Sequence, residues 1–305
     1  MLKDFQQLCA MLTTSERIPK LGVVVAQDRH TLEAVATASK EKLITPVLYG
    51  HRASIQSIWE SVAPNQPLPD IKENDDTDVC VSAAMADVHT GELDCIMKGR
   101  LETGVLMKAV VNREHGIKQS AALSLIGLIE SPYYHKVFAI SDVGLMTYPT
   151  LEQKKAIIEN AVDLFHLLGE SVPKVAVLAA VEKVNPKMPE SVDAYTLKEM
   201  NQSAAITGCI VEGPISYDLC MDKEAATIKG YQSEVAGDPD ILIVPDIVSG
   251  NLLSKSLICT GGAKTCGTVL GAKVPIVLTS RSASAEDKYM SIVLASVIGS
   301  RMHVN

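Results

Sequence analysis

Between Leu21 and Gly50 the chain passes from a β-branched run to an amphipathic stretch and back: LGVVVAQ, DRHTLEAVATASKEKL, then ITPVLYG. Short runs rich in Val and Ile read as strands, whereas Leu32, Val35, Ala36 and Leu43 fall on one helical face. Strand, helix and strand in this order form a βαβ unit, whose crossover is right-handed and whose strands are parallel in nearly every known case. A chain opening this way is committed to an α/β architecture, with buried parallel strands covered by helices.

The alternation continues. A Pro- and acid-rich stretch, SVAPNQPLPDIKENDDTD, reads as a surface connection, after which VCVSAAMADVHTGE is helical, LDCIMKG is a strand and LETGVLMKAVVNREHG is helical. SAALSLIGLIE and YYHKVFAISDVG are strand-like, and TLEQKKAIIENAVDLFHLLGE is a long helix. Four further strands follow, KVAVLAAVEK, CIVEGPIS, PDILIVPDI and VPIVLTS, separated by helical segments and one Gly-rich stretch; a helix over 285–298 closes the chain. A length of 305 residues suits two domains of about 150 each, and this pattern alone puts the boundary near Pro149. Aromatic residues are only 4% of the chain, which favours helix-covered parallel strands over an aromatic-rich sandwich.

Composition removes several functions. Net charge is −8 with no cluster of Lys and Arg, so a surface that tracks nucleic-acid phosphates is not expected. The seven cysteines are scattered, without a C-x-x-C pair, and read as reduced thiols of a reducing compartment. The N-terminal stretch lacks the apolar core of a signal peptide, and no apolar run approaches the ~20 residues of a membrane span. The expectation is a cytosolic protein with no membrane partner. The seven histidines form no H-x-x-x-H or H-E-x-x-H, and no metal is expected.

In open α/β sheets ligands bind beyond the carboxyl ends of the strands, which selects Lys98, Asp142, Glu182, Asp246 and Ser280. In PIVLTSRSASAEDK, Ser280 can donate a hydrogen bond and Arg281 offers planar, bidentate donors to phosphate or carboxylate. Asp287, seven residues beyond Ser280, opens the last helix and could fold back as a base; an N-cap serine followed by a first-turn acid is the plain structural alternative. Ser249, Gly250 and Asn251 start a helix whose free N–H groups could hold an anion. The run Gly261, Gly262, Ala263, Lys264, Thr265, Cys266, Gly267 would let backbone approach a phosphorylated ligand, although such runs are more often turns. It is not a P-loop, because Gly267 is followed by Thr268 where that motif has Lys. Lys98 and Gly99 follow a strand in MKGR, as Asp142 and Gly144 do in ISDVG; a solvated lysine and a turn are the alternatives.

Taken together, AVATASKEKLITPVLYG, ELDCIMKG, AISDVG, AAVEKVNPKMPESVDA, VEGPISYD, GDPDILIVPDIVSGN and GAKTCGTVLGAKVPIVLTSRSASAEDK resemble the phosphate acetyl/butyryltransferase family, in order and over most of the chain, and lie closer to its butyryl branch. The resemblance implies two doubly wound α/β domains of the isocitrate/isopropylmalate-dehydrogenase type with an inter-domain cleft: 1–140 plus 272–305 as the first, and 141–271 as the second, on the CoA side. It implies that Ser280, Arg281 and Asp287 are catalytic. Lys98, Gly99, Asp142, Gly250, Asn251, Gly261, Gly262, Lys264, Thr265 and Gly267 would bind substrate. Acyl-CoA and inorganic phosphate would be the substrates, with no tightly bound cofactor. A homodimer is the default assembly. LICTGG at 257–262 lacks an Arg that the acetyl branch carries there, and SLIGLIE stands where many butyryltransferases have an SHV-like segment. Three alternatives accompany this expectation: a phosphate acetyltransferase, a nicotinamide-dependent dehydrogenase on the same fold, and a non-catalytic CoA-binding relative.

Overall fold

Helix α1 (Gln6–Thr13) leads into the unit read from the sequence: β1 (Lys20–Val24), α2 (Arg29–Lys40) and β2 (Thr45–Gly50). The strands pair in parallel, with Leu21 opposite Pro46 and Val23 opposite Leu48. Asp28 caps α2 by accepting the Thr31 amide at 2.7 Å, satisfying a donor that a helix leaves free in its first turn. The helix stops at Lys40 and Lys42 takes a φ of 60°, so Leu43 enters the core from the connection and not from the helical face. These elements come from a computed structural model, which describes residues 2–13, 17–280 and 283–302.

Helices α3 (Arg52–Val62) and α4 (Thr77–His89) flank β3 (Asp70–Glu73), which pairs with β2 in parallel. This strand lies inside the stretch expected to be a surface connection. Only Ile71 of its four residues is buried, so an outermost strand of this kind carries almost no hydrophobic signal. β4 (Cys95–Lys98) pairs with β1, and α5 (Thr103–Val110) follows. Then β5 (Ser124–Glu130) and β6 (Phe138–Ser141) form an antiparallel pair. The middle of the chain continues with α6 (Leu151–Leu167), β7 (Lys174–Leu178), α7 (Pro189–Gln202), β8 (Ile210–Ile215), α8 (Tyr217–Met221), α9 (Lys223–Ile228), β9 (Ile241–Ile243) and α10 (Ile247–Cys259). β10 (Lys264–Leu270), β11 (Ile276–Val277) and α11 (Ala285–Met302) complete the described chain.

Two compact units contain these elements. The split unit comprises Phe5–Gln119 and the C-terminal stretch from Cys266; its strands follow the order β3, β2, β1, β4, β11, β10. All neighbours there are parallel except β10 and β11. The middle unit comprises Ser120–Thr265 and the residues up to Asp4, with β6, β9, β7 and β8 parallel in that order and β5 antiparallel outside β6. A boundary at 140/141 would cut the end of β6, whose partners β5 and β9 both belong to the middle unit. The change of unit therefore comes at 119/120, before the hairpin, and the return at 265/266 instead of 271/272. In the split unit, Ile292 and Ala295 of α11 pack with Leu32, Val35, Met97 and Val277 in one core. Phe138, Ile140, Leu178, Ile215 and Leu242 centre the core of the middle unit. Among the described residues, no helix is long and apolar enough to cross a membrane.

Candidate active site

Because β1, β4 and β11 run parallel, their carboxyl ends lie side by side. Beyond β1, the buried Val25 takes a φ of 56°, a left-handed conformation that a β-branched residue rarely adopts. Its carbonyl and that of Val24 are then free to accept the amides of Arg100 at 2.7 Å and Gly99 at 2.9 Å. The turn after β4 is thereby laced to the turn after β1. A Cβ at position 99 would approach the Val25 oxygen to 2.1 Å, so only glycine fits. The Lys98 ammonium donates to the carbonyls of Gly99 and Leu101, both at 3.1 Å, which closes this turn on itself. From β11 the chain leaves through Thr279 and Ser280. At the start of α11, Ser284 and Asp287 cap the helix reciprocally: the Ser284 amide donates to Asp287 Oδ2 at 3.1 Å and the Asp287 amide to Ser284 Oγ at 3.0 Å.

These strand ends surround a cavity of about 380 Å³. Lys98, Gly99 and Ser280, all selected from the sequence, line it together. So do Asp28, Thr31, Arg100 and Lys288, which sequence reasoning missed. Asp28 and Arg100 each follow a strand and carried the same strand-end signal as Lys98. Lys288 carried none, because its approach depends on how α11 packs in the core of the split unit. Three cations thus face a small volume, opposed by Asp28 and Glu102. Burial resists ionisation of Asp28, but the Thr31 hydroxyl and amide, with the nearby charges of Lys288 and His30, hold its pKa below the ordinary carboxyl value. The carboxylate is engaged in capping α2, and cationic side chains outnumber carboxylates along the lining. A pocket with this charge balance suits a phosphate or another compact anion.

The remaining sequence-selected residues are placed as follows. Arg281 lies outside the described residues. Asp287 does not line the cavity; it stands at the start of α11, engaged with Ser284. Asp142, Gly250 and Asn251 belong to the middle unit. The buried Asp142 carboxylate accepts the amides of Leu125 at 2.8 Å and of Gly144 and Leu145 at 2.7 Å each. Burial raises its pKa above the carboxyl norm, against the pull of those amides. Gly250 packs so closely that a Cβ would come within 2.4 Å of the Asp142 carbonyl oxygen. At the start of α10 the Ser249 amide donates to Asp246 Oδ1 at 2.8 Å, so the protein's own carboxylate occupies a donor otherwise open to an anion. Asn251 is half-buried one turn in. Glu182 accepts from the Ser216 hydroxyl at 2.7 Å and the Lys229 ammonium at 3.2 Å.

The Gly-rich stretch is a turn and then a strand, not a loop cradle. Gly261 and Gly262 end α10, Gly262 with a φ of 66°, and Lys264 begins β10. Thr265 Oγ1 donates to the Leu128 carbonyl at 3.2 Å, and the Gly267 amide donates to Ser291 Oγ at 3.0 Å. No group of His, Cys, Asp and Glu among the described residues is arranged to hold a metal ion.

The family described as phosphate acetyl/butaryl transferase matches residues 68–296. A phosphate acetyltransferase of Thermotoga maritima is 43% identical over 278 residues, covering 91% of this chain and 94% of its own. The phosphate butyryltransferase of Clostridium acetobutylicum is 36% identical, covering 98% of this chain and 99% of its own. Among solved structures, a branched-chain phosphotransacylase from Enterococcus faecalis superposes with a TM-score of 0.80 at 32% identity, covering 92% of this chain and 99% of the other. With its parallel strand ends, its cation-lined cavity at Ser280 and these relatives, the chain belongs to the phosphate acetyl/butyryltransferase family.

Proposed function

We propose that the protein transfers a short-chain acyl group of the C4 or branched type between coenzyme A and inorganic phosphate, acting in the cytosol as a two-fold homodimer. The observation that carries this reading is the convergence of Ser280, Lys98 and Gly99 on one cation-lined cavity. An oxygen of hydrogen phosphate attacks the thioester carbonyl carbon and forms the C–O bond, the C–S bond breaks, and the thiolate leaves with its electron pair and takes up the proton that hydrogen phosphate gives up. Both partners are anionic, so bringing them together and balancing their charge is the main task of the site. Ser280 donates to the carbonyl oxygen or the departing sulfur. The neighbouring Arg281 brings a planar guanidinium suited to phosphate. In the reverse direction Asp287 accepts the thiol proton.

Contacts from the middle unit are assigned to Asp142, Gly250, Asn251, the Gly261–Gly262 turn and Lys264 on the CoA side. Thr265 and Gly267 are engaged within the fold. The choice of acyl group rests on the absence of Arg from 257–262 and on the match to a butyryltransferase along nearly its whole length. A second reading, acetyl transfer, is favoured by the 43% identity to an acetyltransferase. Thiol release from acetyl-, propionyl-, butyryl- and isobutyryl-CoA, with and without phosphate or arsenate, tests both. Release that depends on phosphate and is fastest with a C4 substrate is expected. Equal release without phosphate would remove the reaction class, and a preference for acetyl-CoA would select the second reading.

A further inference from the structure

Lysine is rarely buried without a partner, because an ammonium removed from water needs an opposite charge or hydrogen bonds to replace its hydration. Three lysines of the described chain are buried, Lys136, Lys154 and Lys288, and with the half-buried Lys98 they illustrate the rule and its exception. Lys136 is bonded to Asp240 at 2.7 Å and to Asp238 at 2.8 Å. Lys154 is bonded to Asp193 at 2.7 Å. Lys98, half-buried, has the two carbonyls of its own turn. Lys288 is 5% exposed and its ammonium makes no hydrogen bond or ion pair with any described residue. It lines the Ser280 cavity on the side of Asp28, whose carboxylate it influences through space without reaching contact.

The residue is held there firmly. α11 turns Met290, Ile292, Val293 and Leu294 inward, and Lys288 stands on the same buried helix one turn before Ile292. A helix that needed only a filler at this point would take Met or Leu, which cover the same apolar surface without a charge. The ammonium instead opens onto the cavity, beside Arg100 and the end of β11.

We propose that Lys288 binds the phosphoryl group that is transferred, acting as a substrate-binding cation opposite Ser280. The proposal rests on the acyl-transfer reading for the identity of its ligand. A phosphate dianion placed between Lys288 and Ser280 supplies the partner that the fold withholds, and Lys288 in turn offsets part of the charge that phosphate brings toward a thioester. The same chemistry could come from a phosphate of coenzyme A itself, and the two sources give opposite kinetic signatures.

The test uses Lys288→Met, which keeps the length and apolar stem of the side chain and removes the charge. The Michaelis constant for phosphate should rise at least about tenfold, as expected when a hydrogen bond to a charged group is lost, while that for acyl-CoA stays within about twofold. The ligand-free variant should melt at the same temperature as the parent or higher, because a buried charge has been removed. Inorganic phosphate alone, titrated into the parent, should raise its melting temperature, and this rise should be lost in the variant. An unchanged phosphate constant, or a rise confined to acyl-CoA, overturns the proposal. So does a ligand-free variant that melts lower yet keeps its full response to phosphate, which would make Lys288 structural. If Lys288→Met does not fold, Lys288→Gln is read against the same criteria. A parent that shows no phosphate-dependent thiol release, but whose melting temperature responds to phosphate through Lys288, would refute the acyl-transfer reading and leave the anion site standing.

Discussion

Gly99 lies against the carbonyl of Val25 so closely that its α-carbon has no room for a substituent: an added methyl would stand 2.1 Å from that oxygen. The obstacle is backbone, and Val25 is already held at a φ of 56°, so neither side can yield without opening the turn that carries Lys98 and Arg100. Gly99→Ala should therefore lower kcat/KM for phosphate-dependent thiol release by about 10²-fold, the scale of a displacement of about 1 Å in a catalytic site. Steady-state kinetics beside a thermal melt would check this. Unaltered kinetics in a folded variant would show that this turn does not position the site.

Arg281→Lys keeps the charge and loses the planar fork. In the proposed site this reduces a bidentate phosphate contact to a single one, which should raise the phosphate Michaelis constant about tenfold, and kinetics with phosphate as the varied substrate measure it.

The proposed acyl preference rests on the size of a fitted pocket. Each methylene that fills a fitted apolar site contributes about 1–3 kcal/mol of discrimination, so butyryl-CoA should exceed acetyl-CoA by about 10²-fold in kcat/KM. A competition assay with both thioesters reads this ratio directly.

In the middle unit, Gly250→Ala would drive a methyl to 2.4 Å from the Asp142 carbonyl oxygen. Overpacking of this kind costs about 1–3 kcal/mol, and urea denaturation of the variant should show a loss of that size.

Acid sensitivity should also originate in the middle unit. Burial alone would raise the Asp238 pKa, but Lys136, Lys174 and His135 hold it down to about 2. A carboxylate depressed in this way stabilises the fold fully above the unfolded value of about 4 and loses that contribution as pH falls toward 2. Asp238→Asn should thus be less stable than the parent at neutral pH, with the gap closing between about pH 4 and 2. Denaturation curves across that range would reveal it, and a gap independent of pH would exclude the ionic origin.

Much of this organisation was legible in the sequence where period and burial agree. β1, α2 and β2 show both faces of the argument, since Val23 and Leu48 are fully buried and Leu32 and Val35 repeat on one helical side. Lys98, Gly99 and Ser280 were selected because strand ends in parallel sheets collect ligands, and they do share a cavity. β3 was hidden because three of its four residues are exposed. β10 was hidden by Gly267 and by the two glycines just before the strand, which together suggested a loop, although Gly267 is held in the strand by Ser291. Lys288 was hidden for another reason: its burial depends on α11 joining α2 in a core with residues more than two hundred positions earlier, which no local pattern records.

That joining sets an order of events during synthesis. β4 presents one side to β1, and its other side is covered only when Ile276 and Val277 arrive opposite Ile96 and Met97. A nascent chain emerging up to Thr265 has all of the middle unit available for folding, yet the unit begun at Phe5 still has an open strand edge and lacks the helix that seals its core. Exposed edges of this kind recruit other chains. The interval between the release of Cys95 and the release of Val277 is therefore when this protein is most prone to pair with the wrong neighbour, and slow translation of the residues between them would lengthen it.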